Sequence, residues 1–210
     1  MTRVYFVDLE RIYGERYKQI LFEFQKSHPA DVFLSYCARN VVKNIASDVL
    51  NIDPNDIIFL RQKYGKPYIK GYPDFNFNIS HTENAIAIAI SDYPVGVDVE
   101  RIGETNYKIA ERFFAQGEKQ YLYSINESTK QRFFEIWTKK EAYLKWTGEG
   151  LTRPLISFDV TDSTFKSQVH SIINNGFVIS ICTSSFETLR DFDFIELDVS
   201  NLELDSKIML

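Results

Sequence analysis

The chain has 210 residues, of which 44% are hydrophobic and 25% charged, so it is typical of a folded globular protein and not of a disordered one. Its net charge of −5 argues against a nucleic-acid-binding surface that neutralises many phosphates. No run approaches the roughly 20 apolar residues of a membrane span and no secretory signal opens the chain, so we expect a cytoplasmic protein with Cys37 and Cys182 reduced.

The residues before Pro94 predict one long helix and four strands. Asp31 can cap a helix that runs to about Leu50, whose buried stripe has apolar residues four apart: Phe33, Cys37, Val41 and Ile45. A shorter helix is expected in the twenty residues after Asp8. The predicted strands are Val4–Asp8, Ile57–Arg61, Phe75–Ser80 and Ala85–Ser91.

After Pro94 a similar order begins again, with a strand, then helices, then further strands. Gly148 is expected to end the last helix in a left-handed conformation. The predicted elements are the strand Val95–Glu100, the helices Lys108–Phe114, Glu118–Ser124 and Gln131–Trp146, and the strands Ser157–Val160, Val169–Ile173 and Val178–Thr183. The pattern therefore indicates an α+β protein with a duplicated organisation.

The strand Val95–Glu100 alternates valines with Gly96, Asp98 and Glu100. Residues two apart on a strand lie roughly 6.5 to 7 Å apart along its axis, so the two carboxylates can point to one small cation. The glycine beside them is expected to leave room for a bulky ligand. A half-exposed strand with an acidic outer face explains the same hexamer without any ligand.

The last predicted helix carries Trp137, Glu141 and Lys145 at intervals of four, so the three residues share one face. A glutamate and a lysine at this spacing are either a solvent-exposed ion pair or catalytic groups. Earlier in the chain, Lys66, Ser80 and His81 can hold phosphate oxygens by charge and by hydrogen-bond donation. A histidine at a strand end is, however, often a surface group with no ligand.

Taken together and in this order, these segments resemble the phosphopantetheinyl transferases of the type that activates surfactin synthetase. The family's Gly-x-Asp-x-Glu strand corresponds to Gly96–Glu100, and its Trp-Ser/Thr-x-Lys-Glu helix, with a lysine four residues after the Glu, corresponds to Trp137–Lys145. Lys66-Pro67 and Asn78-Ile79-Ser80-His81 match as well. The resemblance covers about Asp31 to Asp159, and more weakly Gly176–Thr183.

This resemblance implies an enzyme that moves the 4′-phosphopantetheine arm of coenzyme A onto a serine of an acyl or peptidyl carrier protein. It implies two similar α/β lobes, residues 1–94 and 95–210, related by a pseudo-twofold with the active site in the cleft between them. Because one chain then holds a complete cleft, we expect a monomer. The carrier protein is expected to approach over Ile102–Phe114.

The resemblance also implies the site residues. Asp98, Glu100 and Glu141 would hold Mg²⁺, with Glu141 as general base and Lys145 steadying the transferring phosphate. Lys66, Ser80 and His81 would contact coenzyme A phosphates. Glu118 matches a further acidic position beside the site, although acids are also favoured in the first turn of a helix.

The chain departs from the family where an arginine usually meets the 3′-phosphate of coenzyme A, because Leu34 stands at that position. Arg39 lies about 140° further round the helix, so we expect it to point elsewhere. Lys18 and Lys26 are possible substitutes, and we expect weaker discrimination against 3′-dephospho-coenzyme A. Two other functions stay open: a non-catalytic module that binds coenzyme A or a carrier, and a Mg²⁺-dependent coenzyme A phosphodiesterase.

Overall fold

The computed structural model describes residues 1–26, 29–124, 126–165, 167–184 and 192–198. Its strands are β1 (Thr2–Asp8), β2 (Phe59–Arg61), β3 (Pro67–Ile69), β4 (Asn76–Thr82), β5 (Ala85–Ser91), β6 (Gly96–Arg101), β7 (Val169–Asn174), β8 (Phe177–Cys182) and β9 (Phe192–Glu196). Its α-helices are α1 (Leu9–Tyr13), α2 (Glu15–Gln25), α3 (Ala30–Leu50), α4 (Lys108–Phe113), α5 (Gln116–Tyr123) and α6 (Thr129–Thr147). The predicted mixed α+β fold is confirmed.

The strands form two main sheets and one small hairpin. The first sheet has the order β4-β5-β1-β9, the second has the order β6-β8-β7, and β2 pairs with β3. The strand β9 runs parallel to β1, so the last described strand of the chain joins the first sheet. The two sheets come together where Asn78 on β4 accepts a hydrogen bond at 2.8 Å from the backbone N–H of Val97 on β6.

Alternation of apolar residues explains how the sheets pack. Val4, Phe6 and the alanines of β5 bury one face of the first sheet against Val97 and Ile179 of the second. The other face of the first sheet packs on α3, while α6 covers the second sheet. The two long helices therefore lie on the outside of paired sheets, and each brings one set of side chains to the place where β4 meets β6.

Most predicted elements are observed, with shifted ends. Helix α3 begins at Ala30 after Pro29 as its N-cap, so Asp31 lies inside the helix and is not its cap. Gly148 ends α6 with φ 73°, as the sequence predicts. Two helices, α1 and α2, fill the stretch where one short helix is expected. In the described part of the chain, no helix is long and apolar enough to cross a membrane.

The predicted strand Ser157–Val160 is wrong. A 3₁₀ turn at Leu155–Ser157 and irregular backbone replace it. The carbonyls of Leu155 and Phe158 accept hydrogen bonds from the buried Lys140, and the N–H of Val160 donates to Glu118. The backbone groups that a strand would pair with a neighbour are thus satisfied by two charged side chains.

Candidate active site

The acidic strand is confirmed as β6, and its two faces differ as predicted. Val97 and Val99 are buried between the two sheets, whereas alternation turns Asp98 and Glu100 to the opposite face. Asp98 is nevertheless 5% exposed, because α6 covers that face. An exposed acidic strand, the alternative open from sequence, does not describe β6.

Gly96 brings helix α6 close to this strand. A Cβ atom at Gly96 would lie 2.0 Å from the carbonyl oxygen of Ala142 and 2.5 Å from the backbone nitrogen of Trp146. The expectation that this glycine leaves room for a ligand is therefore wrong, because the space is filled by the helix backbone. The close approach sets Glu141 and Lys145 over the acidic strand.

Lys145 makes an ion pair with the strand and not a solvent-exposed pair along its own helix. Its Nζ lies 2.7 Å from Oδ1 of Asp98 and donates to Oγ of Ser80 at 2.8 Å. Ser80 in turn donates to the same Asp98 oxygen at 2.7 Å. Residues from β4, β6 and α6 thus close a triangle of a hydroxyl, a carboxylate and an ammonium group.

Two further carboxyl groups, those of Glu100 and Glu141, lie close enough to Asp98 for its charge to raise their pKa values. Burial, and then repulsion by Asp98, raises the pKa of Glu100 to about 7, and Thr82 partly opposes this by donating to its Oε2 at 2.9 Å. Burial and the charge of Asp98 also raise the pKa of Glu141, while Lys145 opposes that shift. Three carboxyl groups therefore lie near a single ammonium group, that of Lys145.

The three carboxylates are candidate ligands for a metal ion. Among the described residues, no three carboxylate, imidazole or thiol groups are already close enough to hold one ion. The buried Oδ2 of Asp98, however, has no hydrogen-bond partner among those residues. An orphaned carboxylate oxygen beside two repelling carboxylates fits a hard divalent cation in ligand type and in charge.

Lys66 ties the acidic strand to the end of α6. Its Nζ donates to the carbonyl of Val95 at 2.9 Å and to that of Lys145 at 2.8 Å. A cation at the last turn of a helix is favoured by the unpaired carbonyls there. Burial lowers the pKa of Lys66 to about 8, so its charge is present at neutral pH and is lost in mildly alkaline solution.

A cavity of about 380 Å³ brings four of the predicted residues together, namely Lys66, Ser80, His81 and Lys145. Asp98 joins them through its bonds to Ser80 and Lys145. The cavity is also lined by Ser35, Arg39, Arg61 and Tyr64, none of which was predicted from the sequence as a site residue. Ser35 and Arg39 could have been found from their spacing, because polar residues four apart on α3 share one face of the helix.

Glu118 does not line this cavity. It is fully buried and pairs with the fully buried Lys140, whose Nζ lies 2.7 Å from its Oε1. Its Oε2 accepts from the N–H of Ala115 at 2.7 Å, so it also serves the first turn of α5. These contacts support a structural role for Glu118, which is the alternative that the sequence left open.

Two family models match consecutive parts of the chain. The 4′-phosphopantetheinyl transferase superfamily matches residues 94–201, and the model described as 4′-phosphopantetheinyl transferase, N-terminal, matches residues 9–92. The chain is 34% identical to the 4′-phosphopantetheinyl transferase gsp of Aneurinibacillus migulanus over 84% of its own length and 80% of that protein. The chain belongs to the 4′-phosphopantetheinyl transferase superfamily.

Other relatives agree with this assignment. The phosphopantetheinyl transferase Sfp of Bacillus subtilis strain 168 is 34% identical over 63% of this chain and 60% of its own length. HetI of Nostoc, also a 4′-phosphopantetheinyl transferase, is 33% identical over 55% of this chain and 52% of its own. The predicted family and its transferase activity are therefore confirmed.

In this phosphopantetheinyl transferase, the residue at the usual arginine position faces the core. Leu34 is 5% exposed and belongs to the apolar cluster between α3 and the first sheet. Arg39, about 140° away, consequently points out of the core and lines the cavity, so the expectation that it points away from the site is wrong. Lys18 and Lys26 pair with Glu15 and Glu23 on α2.

Proposed function

We propose that this protein transfers the 4′-phosphopantetheine arm of coenzyme A to a serine hydroxyl of a carrier protein and releases adenosine 3′,5′-bisphosphate. The observation that carries the proposal is the triangle of Ser80, Asp98 and Lys145 at the wall of a cavity that Lys66 and His81 also line. Coenzyme A carries a pyrophosphate and a 3′-phosphate, which need cations and hydrogen-bond donors. In a protein of net charge −5, such groups supply the local positive charge that an anionic donor needs.

We propose Asp98, Glu100 and Glu141 as the residues that hold Mg²⁺. Three carboxylates against the one ammonium of Lys145 leave two negative charges, which a divalent cation would balance. Oxygen ligands alone suit Mg²⁺, whereas zinc would favour histidine or cysteine. When bound, the ion neutralises charge on the pyrophosphate oxygens.

Glu141 is proposed as the general base. Its raised pKa makes the carboxylate a better proton acceptor than a solvated glutamate. It accepts the serine proton as the serine oxygen bonds to the phosphorus of the phosphopantetheine arm, and the bond from that phosphorus to the bridging oxygen breaks. Lys145 stabilises the charge on the transferring phosphate, while Lys66, Ser80 and His81 hold the phosphate oxygens.

We also propose the division into lobes of residues 1–94 and 95–210, related by a pseudo-twofold, with the active site between them. The ends of the two family models, at residue 92 and residue 94, support this division. Hydrogen bonds from Ser80 to Asp98 and from Thr82 to Glu100 join the two parts at the site. The return of β9 to the first sheet adds a further connection.

The carrier protein is proposed to dock over Ile102–Phe114, which follows the acidic strand directly and includes α4. We further propose that the enzyme acts as a monomer in the cytoplasm. The buried free thiols Cys37 and Cys182 support a reducing compartment. Sedimentation that shows an obligate trimer, with activity lost on dilution, would contradict the monomer.

Mass spectrometry of an apo-carrier protein tests the activity against its two alternatives. Incubation with coenzyme A and Mg²⁺ should add one phosphopantetheine arm to the carrier serine. A module that only binds would leave both molecules unchanged, and a phosphodiesterase would release free phosphopantetheine while the carrier keeps its mass. A carrier with its serine replaced by alanine is the control for attachment at that hydroxyl.

A further inference from the structure

Side chains of β4 join the edge strands of the two sheets. Three polar residues that alternate along β4 share the face that carries the alanines of β5 and turns toward the second sheet: Asn78, Ser80 and Thr82. Ser80 and Thr82 donate to the proposed metal ligands Asp98 and Glu100. Asn78 instead accepts from the backbone N–H of Val97, at 2.8 Å.

We infer that Asn78 is a positioning residue, which anchors β6 so that the carboxylate of Asp98 stays in place for the reaction. The inference rests on the proposed function and deepens it. Asn78 differs from Ser80 and Thr82 because it bonds to the backbone of β6 and not to a carboxylate. It therefore restrains the strand, and it acts on the reaction only through that strand.

The N–H of Val97 needs a partner of this kind. β6 is an edge strand with β8 as its one neighbour in the sheet, so alternate N–H groups of β6 point away from β8. Val97 is fully buried, which keeps its N–H from water, and Oδ1 of the buried Asn78 takes the place of a strand partner. Without this acceptor the N–H would be buried and unsatisfied, so we expect β6 to shift.

Two side chains hold β6 on either side of Gly96. Lys66 donates to the carbonyl of the residue before it at 2.9 Å, and Asn78 accepts from the N–H of the residue after it. A glycine gives a strand its greatest backbone freedom, and at Gly96 the backbone of α6 packs directly against the strand. The bond to Asn78 thus restrains β6 where the strand leads into Asp98.

Amide hydrogen exchange tests the anchor without any substrate. In Asn78→Ala the N–H of Val97 loses its acceptor, so its exchange, followed by NMR, should become about 10-fold faster or more, while the amides of the central strand β8 change less than about threefold. Asn78→Asp keeps an accepting oxygen and should stay within about threefold of wild type. Unchanged exchange in Asn78→Ala, or exchange in Asn78→Asp that is as fast as in Asn78→Ala, would overturn the inference.

Transfer to a carrier protein tests whether the anchor positions the site. Asn78→Ala should lower kcat about 10- to 100-fold and raise the Mg²⁺ concentration for half-maximal transfer about 10-fold, as is usual when a group that orients a metal ligand is lost. The KM for coenzyme A should change less than about threefold. Asn78 also lines the cavity, so a raised KM with normal kcat would make it a contact for coenzyme A and refute the positioning role.

Asn76→Ala is the matched control. Asn76 lies two residues earlier on the same face of β4, and its side-chain amide donates to the carbonyls of Asp74 and Asp92, which lie outside β6. The same substitution there should change neither the exchange at Val97 nor the Mg²⁺ requirement. Equal effects of Asn76→Ala and Asn78→Ala would indicate a general loosening of β4 and would refute the anchor.

The exchange and the kinetics together separate this inference from the proposed function. If Asn78→Ala loses the protection at Val97 in a protein that transfers nothing, the proposed function is refuted and the anchor stands. If the wild-type protein transfers phosphopantetheine, and Asn78→Ala does so with normal kcat and a normal Mg²⁺ requirement, the positioning role is refuted and the proposed function stands.

Discussion

Replacing Lys140 by methionine should destabilise the protein far more than replacing an exposed lysine. Lys140 and Glu118 are both fully buried, with Nζ and Oε1 2.7 Å apart. Burial raises the pKa of Glu118 and lowers that of Lys140, and each charge opposes the shift of its partner. In Lys140→Met the carboxylate would stay buried without its cation, and the carbonyls of Leu155 and Phe158 would lose their donor.

The expected loss is about 3 to 5 kcal/mol in the free energy of unfolding, since this is the usual cost of breaking a buried pair by removing one partner. Neutralising the second partner should recover part of it. In Lys140→Met/Glu118→Gln the amide oxygen can still accept from the N–H of Val160, and no unpaired charge is left. We expect the double variant to be at least about 1 kcal/mol more stable than Lys140→Met alone.

Denaturant unfolding of the single and double variants measures these differences. The matched control is the exposed pair of Lys130 and Glu104, whose N···O distance of 2.6 Å is as short. Lys130→Met should cost less than about 1 kcal/mol, because solvent screens that pair. A loss for Lys140→Met that is no larger than the loss for Lys130→Met would refute the reasoning from burial.

Four further outcomes are expected. Asp98→Ala should remove most of the transfer activity while the protein stays folded. Excess chelator should likewise remove most of the activity of wild-type enzyme, and full transfer in chelator would refute the metal assignment. Glu141→Gln should lower kcat about 10²- to 10⁴-fold and weaken coenzyme A binding much less, and near-normal turnover would rule it out as the base. Since the ammonium of Lys66 has a pKa of about 8, the affinity for S-acetyl-coenzyme A should fall as the pH rises through that value. Lys66→Arg stays charged and should therefore bind S-acetyl-coenzyme A with little dependence on pH. If the affinity of Lys66→Arg falls with pH as that of the wild type does, Lys66 is not the cation responsible. Leu34→Arg should cost about 3 to 5 kcal/mol in unfolding free energy, because it buries an unpaired charge in the core, and a variant of normal stability would contradict that placement.

Features that depend on local periodicity could be predicted from the sequence. Strict alternation predicts the buried valines and the acidic face of β6, and apolar residues four apart predict the core stripe of α3. Its motifs, in order along the chain, were enough to predict the family. Such predictions are reliable because each periodic pattern extends over several residues, so one residue that departs from the pattern does not change the predicted element.

Which side chains meet depends on how distant segments of the chain pack together. Ser80 reaches Asp98 because the sheet edge at β4 lies against β6 of the second sheet, and no local pattern encodes this contact between sheets. The role of Gly96 was read wrongly from sequence, since a missing Cβ signals close approach but does not say whether a ligand or a helix approaches.

The same limit explains the outcomes at Arg39 and at the segment after Pro154. The angle between Leu34 and Arg39 follows from helix geometry, but which of the two faces the cavity depends on where the sheet packs against α3. The predicted strand Ser157–Val160 has strand-like residues, yet Lys140 and Glu118, both distant in sequence, satisfy its backbone groups. The strand propensity of the segment is overridden because a buried charge without hydrogen-bond partners costs more free energy than a segment whose backbone groups bond to side chains and not to a neighbouring strand.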